Sequence, residues 1–312
     1  MTAYVLRRLW QMLPTLLGVL ALVFALFKGF GGDPAEILAG LNASPEQVAQ
    51  IREQLGLNAP WWVQFGVFLK QAATFDWGRS WATQETVASL FATRLPATLT
   101  VMLPIFVLEV LLAVPIGLAV AAVRGSLTDR AVMVLTTVAL SISFLVYVIV
   151  GQWLFAFRLG WFPVQGWSAD LATNLLRYAP LPVGLAVCVG LAPQTRLYRS
   201  FFLDEMGQDY VRTAQAKGLT GPEVLRRHVL PNALIPILTQ LGLQLPGVFV
   251  GSFLIEVFFS IPGLGREVLL AVNRSDYPVI QAVTVYLALL TMAINLLTDL
   301  LYRAADPRVI LK

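Results

Sequence analysis

"QDYVRTAQAKGLTGPEVLRRHVLPNALIP", residues 208–236, is the most charged stretch of a chain that otherwise reads as apolar. It carries its own folding signals. Residues 210–217 suit a helix with Val211 and Ala214 on one face, and Gly218 offers the left-handed residue that ends it. Thr220 and Glu223 then fit a T-x-x-E capping box, with Leu219 and Val224 at the staple positions around it. A second short helix is expected from Gly221 to about Val229, and Pro231 suits the first position of the next element. A plain connection between packed helices needs only about two to eight residues. The spacing therefore predicts two stiff, solvated, cation-rich helices hinged at a glycine, a docking element for a partner.

What flanks it is membrane. The 312 residues are 57% hydrophobic and 13% charged, and the mean hydropathy of +0.73 lies outside the soluble range. A span needs about 20 apolar residues to cross roughly 30 Å of hydrocarbon. Six windows qualify: 9–27, 96–122, 131–157, 178–195, 232–255 and 278–298, of which only the second holds a charge, Glu109. An all-α polytopic fold with six transmembrane helices is expected. The first window is too long for the core of a secretory signal and has no small-x-small cleavage site after it, so it reads as a retained helix.

Orientation follows from Lys and Arg in the short loops. With the N-terminus inside, Arg7, Arg8, Arg124, Arg130, the six basic residues of 196–228, Arg303, Arg308 and Lys312 are cytoplasmic. Arg158, Arg177, Arg266 and Arg274 oppose this, and the cations of the long segment after the first span are discounted by the rule. The expected topology is N-in and C-in. It divides the chain into 1–30, the N-terminus and first span; 31–95, an external helical segment; 96–303, a five-helix core carrying the loop 198–231; and a tail, 304–312. The net charge of +4 then reports topology and lipid contact, and no basic stripe with interleaved aromatics points to nucleic acid. Cys188, the single cysteine, lies within a span and reads as a small packing residue.

The external segment has helical signals of its own. "SPEQVAQIREQLGL" opens on a Ser44 cap with Pro45 at the first helical position and ends at Gly56, with Val48, Ile51 and Leu55 along one face. "APWWVQFGVFLKQAATFDWG" offers Trp61, Trp62, Phe65, Phe68 and Leu69 to a membrane surface or neighbouring spans. A third helical run, about 84–94, leads into Pro96. Either a platform for a partner or an interfacial packing element fits this pattern.

Chemistry is missing from the sequence. There is no G-x-x-x-x-G-K-[ST] loop, no H-E-x-x-H and no G-x-S-x-G, and the sole histidine, His228, has no second imidazole for a metal site. No catalytic residue and no metal site is expected.

"VRTAQAKG", followed after nine residues by "HVLP", resembles the EAA loop of ABC-importer permeases, with Ala214 at the last alanine, Gly218 at the glycine, and Leu230 and Pro231 at the close. Arg212 and Thr213 stand for the family's Glu and Ala, and His228 for its Ile, a form similar to the oligopeptide and dipeptide branch. "GDP" at 32–34, "LGLNAPWWVQ", "DWGRS", "RLPATL", "GSFLIEVFFSIPGLG", "DYPVIQ" and the terminal "DPR" resemble the same branch in order along the chain. The resemblance implies an inner-membrane permease subunit paired with a second, homologous permease, two cytoplasmic ATPases that hold the ATP and Mg, and an external solute-binding protein, with no cofactor on this chain. It places the ATPase-coupling residues at Arg212, Thr213, Ala214, Lys217, Gly218, Leu219, Glu223, Arg226, Leu230 and Pro231. Peptides or peptide-like solutes are the implied cargo, although similar permeases also serve nickel chelates, glutathione, short sugars and peptide antibiotics.

For the substrate path, ionisable and small polar groups within spans are the candidates: Glu109, Ser141, Ser143, Gln240, Gln244 and Ser252. Helix packing accounts for such residues equally well, and Glu109 as a structural partner remains open. Glu256 is expected at an interface or capping a turn. A proton-driven secondary transporter with Glu109 as carrier is the rival reading; it leaves the capped helix pair unexplained.

Overall fold

A computed structural model describes residues 2–30, 32–40 and 43–305, and among these every regular element is helical. In chain order they are α1 (Thr2–Phe30), α2 (Pro34–Ala39), α3 (Pro45–Gln54), α4 (Trp61–Thr74), α5 (Val87–Ala122), α6 (Leu127–Ser141) and α7 (Phe144–Gly151), which continues as a π-helix, Gln152–Arg158. There follow α8 (Leu171–Thr173), widening into a π-helix at Asn174–Tyr178, then α9 (Pro180–Met206), α10 (Asp209–Ala216) and α11 (Gly221–Val224). A π turn, Leu225–Val229, leads into α12 (Leu230–Val250), and α13 (Phe253–Phe258), α14 (Leu264–Asn273) and α15 (Tyr277–Ala305) complete the chain. Residues 306–312, with Arg308, Lys312 and "DPR", lie outside the described residues.

Among the described residues four helical stretches are long and apolar enough to cross a membrane: Leu6–Gly29, Val87–Ala122, Gly221–Phe258, which runs from α11 to α13, and Tyr277–Leu300. They contain the first, second, fifth and sixth predicted windows. The third and fourth differ from expectation. The third is two helices, α6 and α7, bent by 87°, and the fourth is the α8 unit meeting α9 at 55°, so the count is four spans, or up to six if each bent pair is one. At the first bend Ile142 is extended, and hydroxyls compete for backbone carbonyls in the turns before it: Thr137 donates to Met133 O at 2.7 Å and Ser141 to Thr137 O at 2.9 Å. A hydropathy window averages over such a break.

The chain forms two compact units. The first comprises the described residues up to Pro96 and Gly263–Leu296. In it α2 begins at Asp33, whose carboxylate accepts from Ala35 N at 2.9 Å and pairs with Arg52 of α3. Burial works upward on this carboxyl, but Arg52 and the Ala35 amide outweigh it and hold it below its ordinary value. The capping box at α3 is present, formed by Ser44 and Gln47. The run at about 84–94 is the start of the 36-residue α5, which passes through Pro96; at about 1.5 Å per residue it exceeds the hydrocarbon thickness. Phe68 and Ala72 of α4 pack with Leu20 and Val23 of α1 and Val285 of α15.

Two pairs of the sequence motifs meet inside this unit. Ser80 of "DWGRS" donates to the Asp276 carboxylate of "DYPVIQ", which also accepts from Trp81 N at 3.1 Å. Arg94 of "RLPATL" pairs with Glu267 at 3.4 Å, and Glu267 lies just past "PGLG". Asp276 is buried, so its hydroxyl and amide partners meet the need of a carboxylate removed from water.

The second unit comprises Ala97–Pro262 and the described residues from Leu297. One buried cluster joins Val101 and Ile105 of α5, Val148 and Ala156 of the α7 unit, Val187 of α9 and Phe259. A second holds the stretch that opened the sequence.

Candidate functional site

The predicted helix pair is present. α10 ends at Ala216 with Lys217 as its cap, and Gly218 takes φ +85°, a conformation open to glycine and costly for a residue with a Cβ. A Cβ there would meet nothing within 4 Å, so the demand is conformational alone. The Glu223 carboxylate accepts from Thr220 N at 3.1 Å and from the Thr220 hydroxyl at 3.0 Å, fixing the entry to α11. Pro231 stands at the start of α12, as the sequence suggested, but no break separates that helix from α11. The chain runs on from α11 through the π turn, in which Leu230 N reaches back to Leu225 O. Proline has no N–H and crowds the carbonyl four residues back, and the wider turn just before it accommodates both.

Burial divides this unit into two faces. Val211, Ala214, Val224 and Val229 join Ala113 and Ala121 of α5, Tyr198 and Phe202 of α9, and Ala233 and Ile237 of α12 in one core, with Leu219 and Leu230 partly buried against it. Arg212, Thr213, Lys217, Gly218, Arg226 and Pro231 are exposed, and Glu223 is half-buried. The candidate coupling residues therefore separate into anchors (Ala214, Leu219, Leu230) and a presented polar face.

One polar strut holds the unit to the spans, and a second ties two of the neighbouring helices to each other. The Tyr210 hydroxyl donates to the Glu205 carboxylate at the end of α9 at 2.6 Å and also meets the Asn232 side chain of α12. Arg199 of α9 forms a two-pronged pair with Asp129 of α6, Nε to Oδ1 and Nη2 to Oδ2, both 2.8 Å, and Asp129 further accepts from Gly125 N at 2.8 Å. None of these partners was marked as functional in the sequence; Ser126 with Asp129 does form a capping signal, but Arg199 lies 70 residues away.

The candidate path residues lie on several elements of the same unit. Glu109 is half-buried on α5 and rests against Gly190 of α9, where its carboxylate occupies the place of a Cβ. Eight residues further along both helices, Gly117 faces Tyr198 and Arg199, where a Cβ would stand 3.1 Å from the backbone. α5 and α9 thus run parallel at close approach. Along that seam Gln194 Oε1 and the Tyr198 hydroxyl are buried with no hydrogen-bond partner among the described residues. Ser141 and Ser143 are exposed and flank the α6–α7 bend; Gln240 and Gln244 are half-buried one turn apart on α12. Ser252 follows Gly251, which breaks α12 from α13 at φ +84°. Glu256, expected at an interface or in a turn, is fully buried and accepts from Thr98 at 2.8 Å, joining "GSFLIEVFFSIPGLG" to "RLPATL".

Long apolar helices, internal polar seams and a stiff charged helix pair define a multi-pass membrane transport component. Residues 113–311 match the family described as the binding-protein-dependent transport system inner membrane component, and residues 1–102 match its N-terminal membrane component. The chain belongs to this family and is a multi-pass protein of the bacterial inner membrane. It is 39% identical over 311 residues to a peptide transport system permease protein of Brucella abortus. It is 34% identical over 332 residues to a dipeptide transport system permease protein of Alkalihalophilus pseudofirmus, and 37% identical over 309 residues to a glutathione transport system permease protein of Salmonella choleraesuis. Each alignment covers 99% of both chains. The likeness to ABC-importer permeases of the peptide branch, read from the helix pair and the ordered motifs, is borne out.

Proposed function

We propose that this chain is one of two permease subunits of an ATP-driven importer for short peptides, and that the helix pair 209–229 is its coupling element. The observation that carries this is the two-faced burial of that pair. Four apolar side chains lock it into the core shared by α5, α9 and α12, while Arg212, Thr213, Lys217 and Arg226 are presented outward. A partner that pushes on the presented face moves the spans with it.

Six spans with both termini inside are part of the proposal. Parallel packing of α5 and α9 supports it, since the second and fourth spans of an alternating chain run the same way. On this topology Glu205, Tyr210 and Asp129 lie at the cytoplasmic end, residues 31–95 lie outside, and 304–312 form an inner tail. ATP and Mg belong to two ATPase subunits that engage the helix pair, a solute-binding protein delivers the cargo, and closure of the ATPases reorients the paired permeases by alternating access. Relatives named for transport of peptides, dipeptides and glutathione support a peptide as the cargo. Glu109, Ser141, Ser143, Gln240, Gln244 and Ser252 are the proposed path positions.

The test is co-purification from membranes followed by reconstituted uptake. A second permease and an ATPase pair are expected with the tagged chain, together with ATP-dependent uptake of short peptides. Uptake driven by a proton gradient without ATP refutes the proposal.

A further inference from the structure

The first compact unit contains a cavity of about 820 Å³, in the size range of small-molecule sites, about 300–1,000 Å³. It lies wholly within that unit, between the end of α1, the α2–α3 pair, α4, the turn at 77–81 and the start of α15. None of the coupling or path residues lines it.

Its lining is of two chemical kinds. Phe24, Val63, Val67, Phe68 and Trp77 are apolar, and Lys28, Arg52 and Arg79 bring three cations, with Asp33 the sole acid among the described lining residues. Asp33 is paired with Arg52. Lys28 spends a donor on the neutral Gln64 Oε1 at 2.8 Å and Arg79 on the neutral Gln84 O at 3.0 Å, which leaves both charges uncompensated. The lining thus combines a net charge near +2 with aromatic residues.

The cavity opens to the surface at two of its apolar residues, Val63 and Val67 of α4, which are about half exposed. Trp61 and Trp62 of α4 and Leu22 and Leu26 of α1, on the same two helices, are also about half exposed or more. A membrane-spanning helix and a tryptophan-bearing helix with bare apolar faces are surfaces that acyl chains cover. From this placement we infer that the cavity is a binding site for one anionic phospholipid. Its phosphate sits between Lys28 and Arg79 and its acyl chain runs out past Phe24 and Val67. Ammonium-bearing headgroups are disfavoured because the lining repels a second cation.

The test uses the full chain purified in mild detergent, with lipid retention read by native mass spectrometry. Phosphatidylglycerol and phosphatidylcholine of identical acyl chains are compared, with sn-glycerol 3-phosphate as a competing free anion. Phosphatidylglycerol is expected to bind one per chain and at least about tenfold tighter than phosphatidylcholine, from two cations each favouring an anionic headgroup. Lys28→Gln with Arg79→Gln abolishes that preference. Val67→Trp, which blocks the apolar mouth, weakens retention of both lipids. Lys70→Gln, an exposed cation on α4 that does not line the cavity, changes nothing. Equal retention of the two lipids by the wild type overturns the inference without recourse to any variant. Displacement of the lipid by equimolar sn-glycerol 3-phosphate marks a free-anion site and overturns it too, as does a folded double variant that keeps the preference.

Discussion

Tyr210 donates its hydroxyl to the Glu205 carboxylate at 2.6 Å, bracing the first turn of α10 against the last turn of α9. Burial, and then that carboxylate, push the Tyr210 hydroxyl up to about 12, so it remains a donor at any working pH. Tyr210→Phe keeps the ring and removes the brace, with an expected local cost of about 1–2 kcal/mol. Hydrogen exchange over 207–217 should rise, and peptide uptake per ATP hydrolysed should fall while the ATPases stay bound. Unchanged exchange and coupling would show the brace to be idle.

Gly218 offers a cleaner probe, because its φ of +85° is the sole obstacle to a side chain there. Gly218→Ala is expected to destabilise the hinge by about 1–2 kcal/mol, and Gly218→Asn by less, since Asn tolerates the left-handed region better. Proteolysis rates across 216–221 should rank wild type, Asn, Ala in increasing order.

Arg199 and Asp129 form the two-pronged tie between α9 and α6. Removing one partner leaves the other largely buried without its counter-charge, whereas removing both does not. Asp129→Asn is therefore expected to lower the Tm of the purified protein more than the pair Asp129→Asn with Arg199→Gln. Equal losses would mean that the two side chains do not depend on each other.

At the α5–α9 seam, the Glu109 carboxylate fills the space above Gly190. Gly190→Val is expected to cost about 1–3 kcal/mol by overpacking, and Glu109→Ala in the same chain should recover most of it. A double-mutant cycle on thermal stability reads the coupling; additive losses would separate the two residues. Peptide uptake by Glu109→Gln complexes tests its place on the path, and wild-type uptake from normally assembled complexes removes it from there.

How far such features are legible in the sequence depends on range. Val211, Ala214, Gly218, Thr220 and Glu223 encode their helix pair within about a dozen residues, through periodicity, a left-handed stop and a cap, and the structure reproduces each signal. Ser44, Pro45 and Gly56 mark α3 in the same local way. Thr98 with Glu256 and Ser80 with Asp276 are separated by 158 and 196 residues, and no periodicity within one apolar helix names its neighbour. The bend at Ser141–Ser143 is hidden because the residues on both sides are apolar. Continuity of the helix through Pro231 is hidden because a π turn has no strong sequence mark.

The central claim, that the exposed face of 209–229 meets an ATPase, is tested most directly by cross-linking. Cys188 is exposed, so it is first replaced in Cys188→Ser; Lys217→Cys and, as a control in the segment assigned to the opposite side, Glu53→Cys are then introduced singly. A short reagent with one thiol-reactive end and one photoactivatable end, which inserts into any neighbouring side chain, applied to the assembled complex in membranes should join Lys217→Cys to an ATPase subunit, and Glu53→Cys to none. An ATPase adduct at Glu53→Cys, or none at Lys217→Cys in a complex that still transports peptide, would contradict the assigned coupling face.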